Sequence, residues 1–84
     1  MAKRVNLIIY MELLALLKEE PRVPTRLAQA CNVPFDRLVG YLGILESKGL
    51  VKKNIQGNHE IYETTDAGRQ LYADWQKVWE KLQP

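Results

Sequence analysis

The sequence predicts a mainly α-helical domain that carries one small β-hairpin. Three observations support this prediction: a dense apolar stretch near the N-terminus, helical spacing of apolar residues in the middle, and a change to extended spacing after Gly49. The chain has 84 residues, which suffice for one domain and leave no material for a second hydrophobic core. We therefore expect residues 1–84 to form a single domain.

The composition is that of an ordinary globular protein, with 46% hydrophobic and 26% charged residues. The single cysteine, Cys31, excludes an internal disulfide and supplies only one ligand toward a thiolate metal cluster. Lys3 and Arg4 precede an apolar stretch as in a signal peptide, but Asn6 and Glu12 interrupt that stretch and no cleavage site follows. We therefore expect a cytoplasmic protein, associated with the nucleoid if it binds DNA, and no membrane partner.

The first helix is predicted from Asn6, a candidate N-cap, to Glu19, because Pro21 stops a helix just beyond it. Apolar residues cover far more of this helix than the stripe of about 100° that packs on one side. Since a domain of this size cannot surround a helix, the excess apolar surface predicts contact with a second subunit. The alternative is a central helix that is buried by the rest of its own chain.

Two helices joined by a tight turn follow. The second is predicted from Thr25 to Cys31, with Thr25 as its cap, and the third from Pro34 or Phe35 to Lys48-Gly49. The core face of the third helix follows the three-four spacing of apolar residues: Phe35, Leu38, Val39, Tyr41, Leu42 and Leu45. The outward face holds Asp36, Arg37, Gly40, Gly43 and Glu46.

Gly40 and Gly43 are unusual, because each glycine inside a helix costs about 1 kcal/mol relative to alanine. Close approach of the helix to another backbone or to DNA is one reason to keep them. The alternative is that both are tolerated without a role.

A two-stranded hairpin is predicted after the third helix. Its strands are Leu50–Ile55 and Glu60–Thr64, on either side of a turn at residues 56–59. A lone hairpin is marginal in water, so it should pack on the helices, and a short third strand is a candidate around Val23.

The last helix is predicted from Thr65 or Asp66, either of which suits a cap, to about Leu82. Its charges cancel and it carries both tryptophans, which is typical of an interface between proteins. We therefore expect residues 65–83 to serve in dimerisation together with the first helix. The candidate dimer residues are Leu7, Ile8, Tyr10, Met11, Leu14, Leu71, Tyr72, Trp75, Val78, Trp79 and Leu82.

The charge is unevenly distributed along the chain. The formal net charge is only +2, but residues 21–58 carry six basic side chains against two acidic ones. This excess in the middle of the chain indicates one basic face.

No set of residues indicates an enzyme. Ser47 and His59 are the only serine and histidine, and neither lies in a nucleophile elbow or beside metal-ligating partners. His59 is expected as an exposed turn residue, with a pH switch as the alternative, and Cys31 as a small core residue rather than a redox sensor. We expect no catalysis, no cofactor, no metal site and no small-molecule ligand.

The element order is that of a winged helix-turn-helix, in which the second helix of the turn motif lies in the major groove of DNA. Four segments carry a resemblance to a known family: Pro24-Thr25-Arg26-Leu27-Ala28, Tyr41-Leu42 before Leu45, Lys48-Gly49-Leu50-Val51, and Tyr62-Glu63-Thr64-Thr65-Asp66-Ala67-Gly68. In these segments the sequence resembles small archaeal winged-helix transcriptional regulators, with MarR and PadR regulators as wider relatives. The resemblance covers residues 6 to 73 and implies a dimer formed through the terminal helices.

Candidate DNA contacts lie on the second helix, the third helix and the hairpin. Arg37 suits a guanine edge and Asp36 a cytosine amine, although Arg37 pairing with Asp36 or binding phosphate are alternatives. Arg26, at the start of the second helix, suits a phosphate. The full set is Thr25, Arg26, Phe35, Asp36, Arg37, Gly40, Lys52, Lys53, Asn54, Asn58 and His59.

These residues predict a small homodimeric transcriptional regulator that binds double-stranded DNA. The hairpin tip has no lysine or arginine, which departs from the strongest DNA-binding wings. Two alternatives therefore stay open: a DNA-coating, chromatin-like protein without base preference, and a protein-binding adaptor built on the same fold.

Overall fold

The computed structural model describes residues 6–83, which form four helices and one two-stranded antiparallel sheet. The helices are α1 (Asn6–Glu19), α2 (Pro24–Cys31), α3 (Phe35–Ser47) and α4 (Asp66–Leu82). The strands β1 (Val51–Gln56) and β2 (His59–Thr64) lie between α3 and α4 in the chain. The predicted fold class and element order are confirmed.

The helix starts differ from the prediction in their capping. Pro24 is already helical in α2, where its missing N–H is no loss, and Val23 occupies the capping position without a side-chain hydrogen bond. The prediction of Thr25 as the cap is therefore wrong, because this residue lies inside the first turn. Asn6, predicted as the cap of α1, likewise already belongs to that helix. Thr65, by contrast, caps α4 as expected.

The hairpin has a tighter turn than predicted. Gln56 pairs with His59, so the turn consists only of Gly57 and Asn58, and Gly57 has the positive φ of 61° that such turns require. The predicted third strand near Val23 is present as a single bridge between Arg22 and Tyr62. Its two backbone N–H···O bonds measure 3.0 and 2.9 Å.

The core lies between α1, α2, α3 and the base of the hairpin. Its fully buried side chains are Leu13, Leu14, Leu17, Leu27, Leu38, Leu42, Leu45, Val51, Thr64 and Cys31. Because α1 packs against α2, α4 and β2, most of its apolar surface is buried by its own chain, which was the alternative for this helix. Burial also raises the pKa of Tyr62 above its ordinary value of 10.0, against the opposing influence of Lys53.

The end of α3 is closed by a glycine in the left-handed conformation. Gly49 has φ +73°, and its N–H donates to the carbonyl of Glu46 at 3.0 Å. The N–H of Leu50 donates to the carbonyl of Leu45, also at 3.0 Å. This pair of bonds is a Schellman motif, which satisfies carbonyls that a helix end leaves unpaired.

The start of α4 is bound to the same segment. The Thr65 N–H donates to the Leu50 carbonyl at 3.1 Å, and the Thr65 hydroxyl donates to the Gly49 carbonyl at 2.6 Å. That hydroxyl also accepts from the Gly68 N–H at 3.1 Å. Gly68 is buried against Leu50, and a Cβ on it would collide with the Leu50 carbonyl oxygen. Two of the four segments that carry the resemblance, those containing Gly49-Leu50 and Thr65 to Gly68, thus form one hydrogen-bonded junction.

Candidate nucleic-acid interface

The start of α2, the start of α3 and the turn of the hairpin meet at an open cleft of about 240 Å³. The cleft is lined by Val23, Pro24, Thr25, Phe35, Asn58, His59 and Glu60. Four of the predicted DNA contacts are therefore brought together here: Thr25, Phe35, Asn58 and His59. The other seven lie along α2, along α3 and on the strands outside this cleft.

The outermost line of α3 carries only short side chains. Its positions lie opposite the buried leucines of the helix and are occupied by Asp36, Gly40, Gly43 and Ser47, all exposed. A Cβ added at Gly40 or at Gly43 would meet no atom within 4 Å. Packing within residues 6–83 therefore gives no reason for either glycine.

Two residues predicted for the core face of α3 are instead largely exposed. Phe35 is 50% exposed and Val39 is 44% exposed, so placing them in the core is wrong. They lie one turn apart on the same flank of α3, and Phe35 lines the cleft beside the hairpin. The three-four spacing identified the apolar side of the helix, but the core covers only the narrower stripe of Leu38, Leu42 and Leu45.

Arg37 lies on the opposite flank of α3 and is exposed. Within residues 6–83 it makes no ion pair, so the alternative in which it pairs with Asp36 does not occur there. Arg26 on α2 is also exposed and makes no ion pair in the described part of the chain. These two guanidinium groups are therefore available to an external partner.

The lysines of the hairpin have partners on the opposite strand. Lys52 Nζ lies 3.4 Å from Glu63 Oε1, and Lys53 Nζ lies 3.7 Å from Glu60 Oε1. Asn54 Nδ2 donates to Glu63 Oε2 at 2.6 Å. The hairpin therefore presents two basic and two acidic side chains in contact. Their charges cancel, so these four side chains offer little net positive charge to attract a phosphate backbone.

Arg22 is a residue that sequence reasoning counted as basic but did not place at an interface. Together with Arg26 it lines a second cleft, of about 260 Å³. Its Nη2 lies 3.6 Å from Glu19 Oε2 and 4.0 Å from Glu20 Oε1, so nearby carboxylates offset its charge. Because Arg22 precedes α2 and is held by its backbone bridge to Tyr62, helical spacing could not predict that it lies beside Arg26.

Apolar surface is exposed at the start of α1 and along α4. Five of the candidate dimer residues are exposed here: Leu7, Leu71, Val78, Trp79 and Leu82. Ile8, Tyr10, Tyr72 and Trp75 are half-buried, and the rings of Trp75 and Trp79 stack with centroids 6.1 Å apart. Met11 and Leu14 lie in the chain's own core and cannot contribute to an exposed surface.

Residues 6–83 contain no group of three His, Cys, Asp or Glu side chains placed to hold a metal ion. No helix in this part of the chain is long and apolar enough to cross a membrane.

Comparison with known proteins adds a family model described as winged helix-turn-helix, which matches residues 3–83. The uncharacterized protein MJ0287 of Methanocaldococcus jannaschii is 31% identical over 78 residues, which cover 93% of this chain and 76% of that protein. Among solved structures, the transcriptional regulator BldR of Sulfolobus solfataricus superposes with a TM-score of 0.83 at 28% identity. That match covers 89% of this chain and 56% of BldR.

A further structural match is the homodimeric winged helix-turn-helix DNA-binding domain of Mb0332 from Mycobacterium bovis. Its TM-score is 0.79 at 24% identity, over 87% of this chain and 68% of that domain. At this identity the match supports the fold alone. The chain spans little more than half the length of BldR.

Proposed function

The chain belongs to the winged helix-turn-helix family, and we propose that it binds double-stranded DNA as a homodimeric transcriptional regulator. The observation that carries this proposal is the exposed face of α3. On this face Arg37 makes no ion pair among residues 6–83, and Gly40 and Gly43 on the outermost line leave the helix backbone accessible. In winged helices this helix enters the major groove and the hairpin lies beside it.

Within this proposal each charged residue has a distinct role. Arg37 contacts a guanine edge, and Asp36 accepts from a cytosine amine. Arg26 binds a phosphate at the start of α2, where the helix dipole favours an anion. Lys52 and Lys53 contribute less, because each would exchange a glutamate for a phosphate rather than gain a new partner.

The homodimer is proposed to form through the start of α1 and the length of α4. The exposed apolar side chains there support it, because a helix that exposes Val78, Trp79 and Leu82 gains stability when a second copy covers them. The match to a domain described as homodimeric agrees with this proposal. Two copies of α3 about 34 Å apart would then fit successive major grooves and a palindromic site.

The proposed role is binding rather than catalysis, without a cofactor, and it assigns the protein to the nucleoid of the cytoplasm. Of the two alternatives, a DNA-coating protein is disfavoured by the ion pairs of the hairpin, since coating depends on free cations along the backbone. A protein-binding adaptor predicts no retained DNA at all.

The test is selection from a random duplex library in about 150 mM salt, followed by sequencing of the retained DNA. We expect an enriched palindrome with the unmodified chain, and loss of that enrichment with Arg37→Ala. Arg69→Ala is the matched control, because Arg69 is an exposed arginine on α4 that already pairs with Asp66 at 3.2 Å. Retention without a motif indicates the coating protein, and no retention at micromolar concentrations refutes DNA binding.

A further inference from the structure

We infer that Phe35 and Val39 contact thymine methyl groups, so that each half-site contains thymine on the side of α3 nearest the hairpin. The inference rests on the proposed DNA-binding function and adds a base preference to it. Arg37 and Asp36 are not the source of that preference, since their charged side chains suit the polar groups of bases rather than a methyl group.

The first observation is the exposure of two purely apolar side chains on one flank of α3, beside an outermost line that carries only Asp36, Gly40, Gly43 and Ser47. Phe35 and Val39 are 50% and 44% exposed, although leucines of the same helix are completely buried. Their spacing of four residues makes them neighbours on one flank. Because Phe35 lines the cleft together with Asn58 and His59, this flank faces the hairpin and is continuous with the proposed interface.

The second observation concerns how closely α3 can approach a partner. Gly40 and Gly43 lie on the outermost line of the helix and have open space where a Cβ would be. A helix without side chains on this line can lie deeper in a groove, and side chains on its flanks then reach the base edges. This closer approach brings a side chain as short as that of Val39 within reach of a base edge.

The chemistry of the groove then identifies the contact. The major-groove edges of the bases present hydrogen-bond donors and acceptors, and the C5 methyl group of thymine is the apolar feature among them. Phe35 and Val39 have no side-chain polar atoms to pair with the other groups. A thymine methyl is therefore the group whose contact with them leaves no polar atom of a base unpaired.

A protein partner fits this surface less well. Asp36 and the two glycines interrupt the apolar area, whereas surfaces that bind proteins through apolar contact are contiguous over several hundred Å². A contact with DNA explains both the exposed apolar flank and the short side chains of the outermost line.

The experiment begins with the duplex enriched by selection and replaces its thymines one at a time by deoxyuridine, which lacks only the methyl group. With the unmodified chain we expect affinity to fall about fourfold at one or two positions of each half-site, the effect of one methyl-sized group. Val39→Ala and Phe35→Ala should each abolish the penalty at the position that the residue contacts.

Ile44→Ala is the matched control, because Ile44 is 41% exposed on the opposite flank of the same helix. It should retain the full deoxyuridine penalty. Alanine is a strong helix former, so Val39→Ala and Ile44→Ala should both remain folded, which circular dichroism checks.

Four results overturn the inference. An enriched duplex without any deoxyuridine-sensitive position, or a penalty that persists in both flank variants, refutes the methyl contact and leaves DNA binding intact. Retention of duplexes with no enriched sequence refutes it as well, because a methyl contact would enrich thymine. Failure to bind any duplex refutes the proposed function itself.

Discussion

Gly68 and the pair Gly40 and Gly43 are helical glycines in opposite surroundings. A Cβ on Gly68 would collide with the Leu50 carbonyl oxygen, whereas at Gly40 and Gly43 it would meet nothing within 4 Å. The first glycine is required by the fold, because it lets α4 pack against the segment that leaves α3. No contact within residues 6–83 requires the other two, so only an external partner could require them.

Among the variants that test this comparison, Gly68→Ala should destabilise the fold most. Because the obstacle is a backbone atom that cannot rotate away, we expect a loss of about 3 kcal/mol in the free energy of unfolding. Urea denaturation measures it, with Gly43→Ala as the control. Equal urea midpoints for the two variants would contradict the close approach at Gly68.

Trp79→Ala tests whether the exposed side chains of α4 contact a second copy of the chain, as the outermost line of α3 is proposed to contact DNA. A tryptophan near the centre of an interface contributes about 2 kcal/mol or more, so we expect the dimer to dissociate at concentrations at least tenfold higher. Sedimentation equilibrium measures this, with Lys77→Ala as the control at an exposed position on the opposite side of the same helix. A monomeric unmodified chain would refute the dimer.

Thr65→Ala should weaken the junction that Gly68 completes. The variant loses the cap of α4 and the hydrogen bond to Gly49, which together should lower the unfolding free energy by about 1 to 2 kcal/mol. Thr25→Ala is the control, since the structure shows no cap at that position. If both variants lose the same amount, the distinction between the two threonines is wrong.

Gly40→Ala and Gly43→Ala should have the smallest effect on stability and the opposite sign. Each is expected to stabilise α3 by up to about 1 kcal/mol, because alanine favours a helix and finds open space here. On the selected duplex the same variants should bind more weakly, since a Cβ holds the helix away from the groove. Unchanged affinity would show that the glycines are tolerated without a role.

Much of the fold is predictable because it depends on local patterns. The Gly49-Leu50 step and the Thr65 to Gly68 segment mark helix ends by backbone chemistry, which is independent of distant contacts. The change of spacing after Gly49 likewise reveals the hairpin. These signals predicted the number, type and order of the elements.

The sites are harder to predict because they depend on register and on the width of the core. The sequence predicted a four-residue turn, whereas the turn consists only of Gly57 and Asn58. The register that places Lys52 opposite Glu63 could therefore not be predicted. The apolar spacing of α3 could not show that the core stops short of Val39. Similarly, the apolar pattern of α1 did not separate Leu14, which is buried, from Leu7, which is exposed.

The paired lysines of the hairpin also bear on how binding responds to ionic strength. Binding to duplex DNA usually weakens steeply with added salt, because every phosphate neutralised by a cation releases condensed counterions. A hairpin that exchanges one anionic partner for another releases few of them. The salt dependence of this protein should then reflect its arginines, and most of its preference among DNA sequences should survive at high ionic strength.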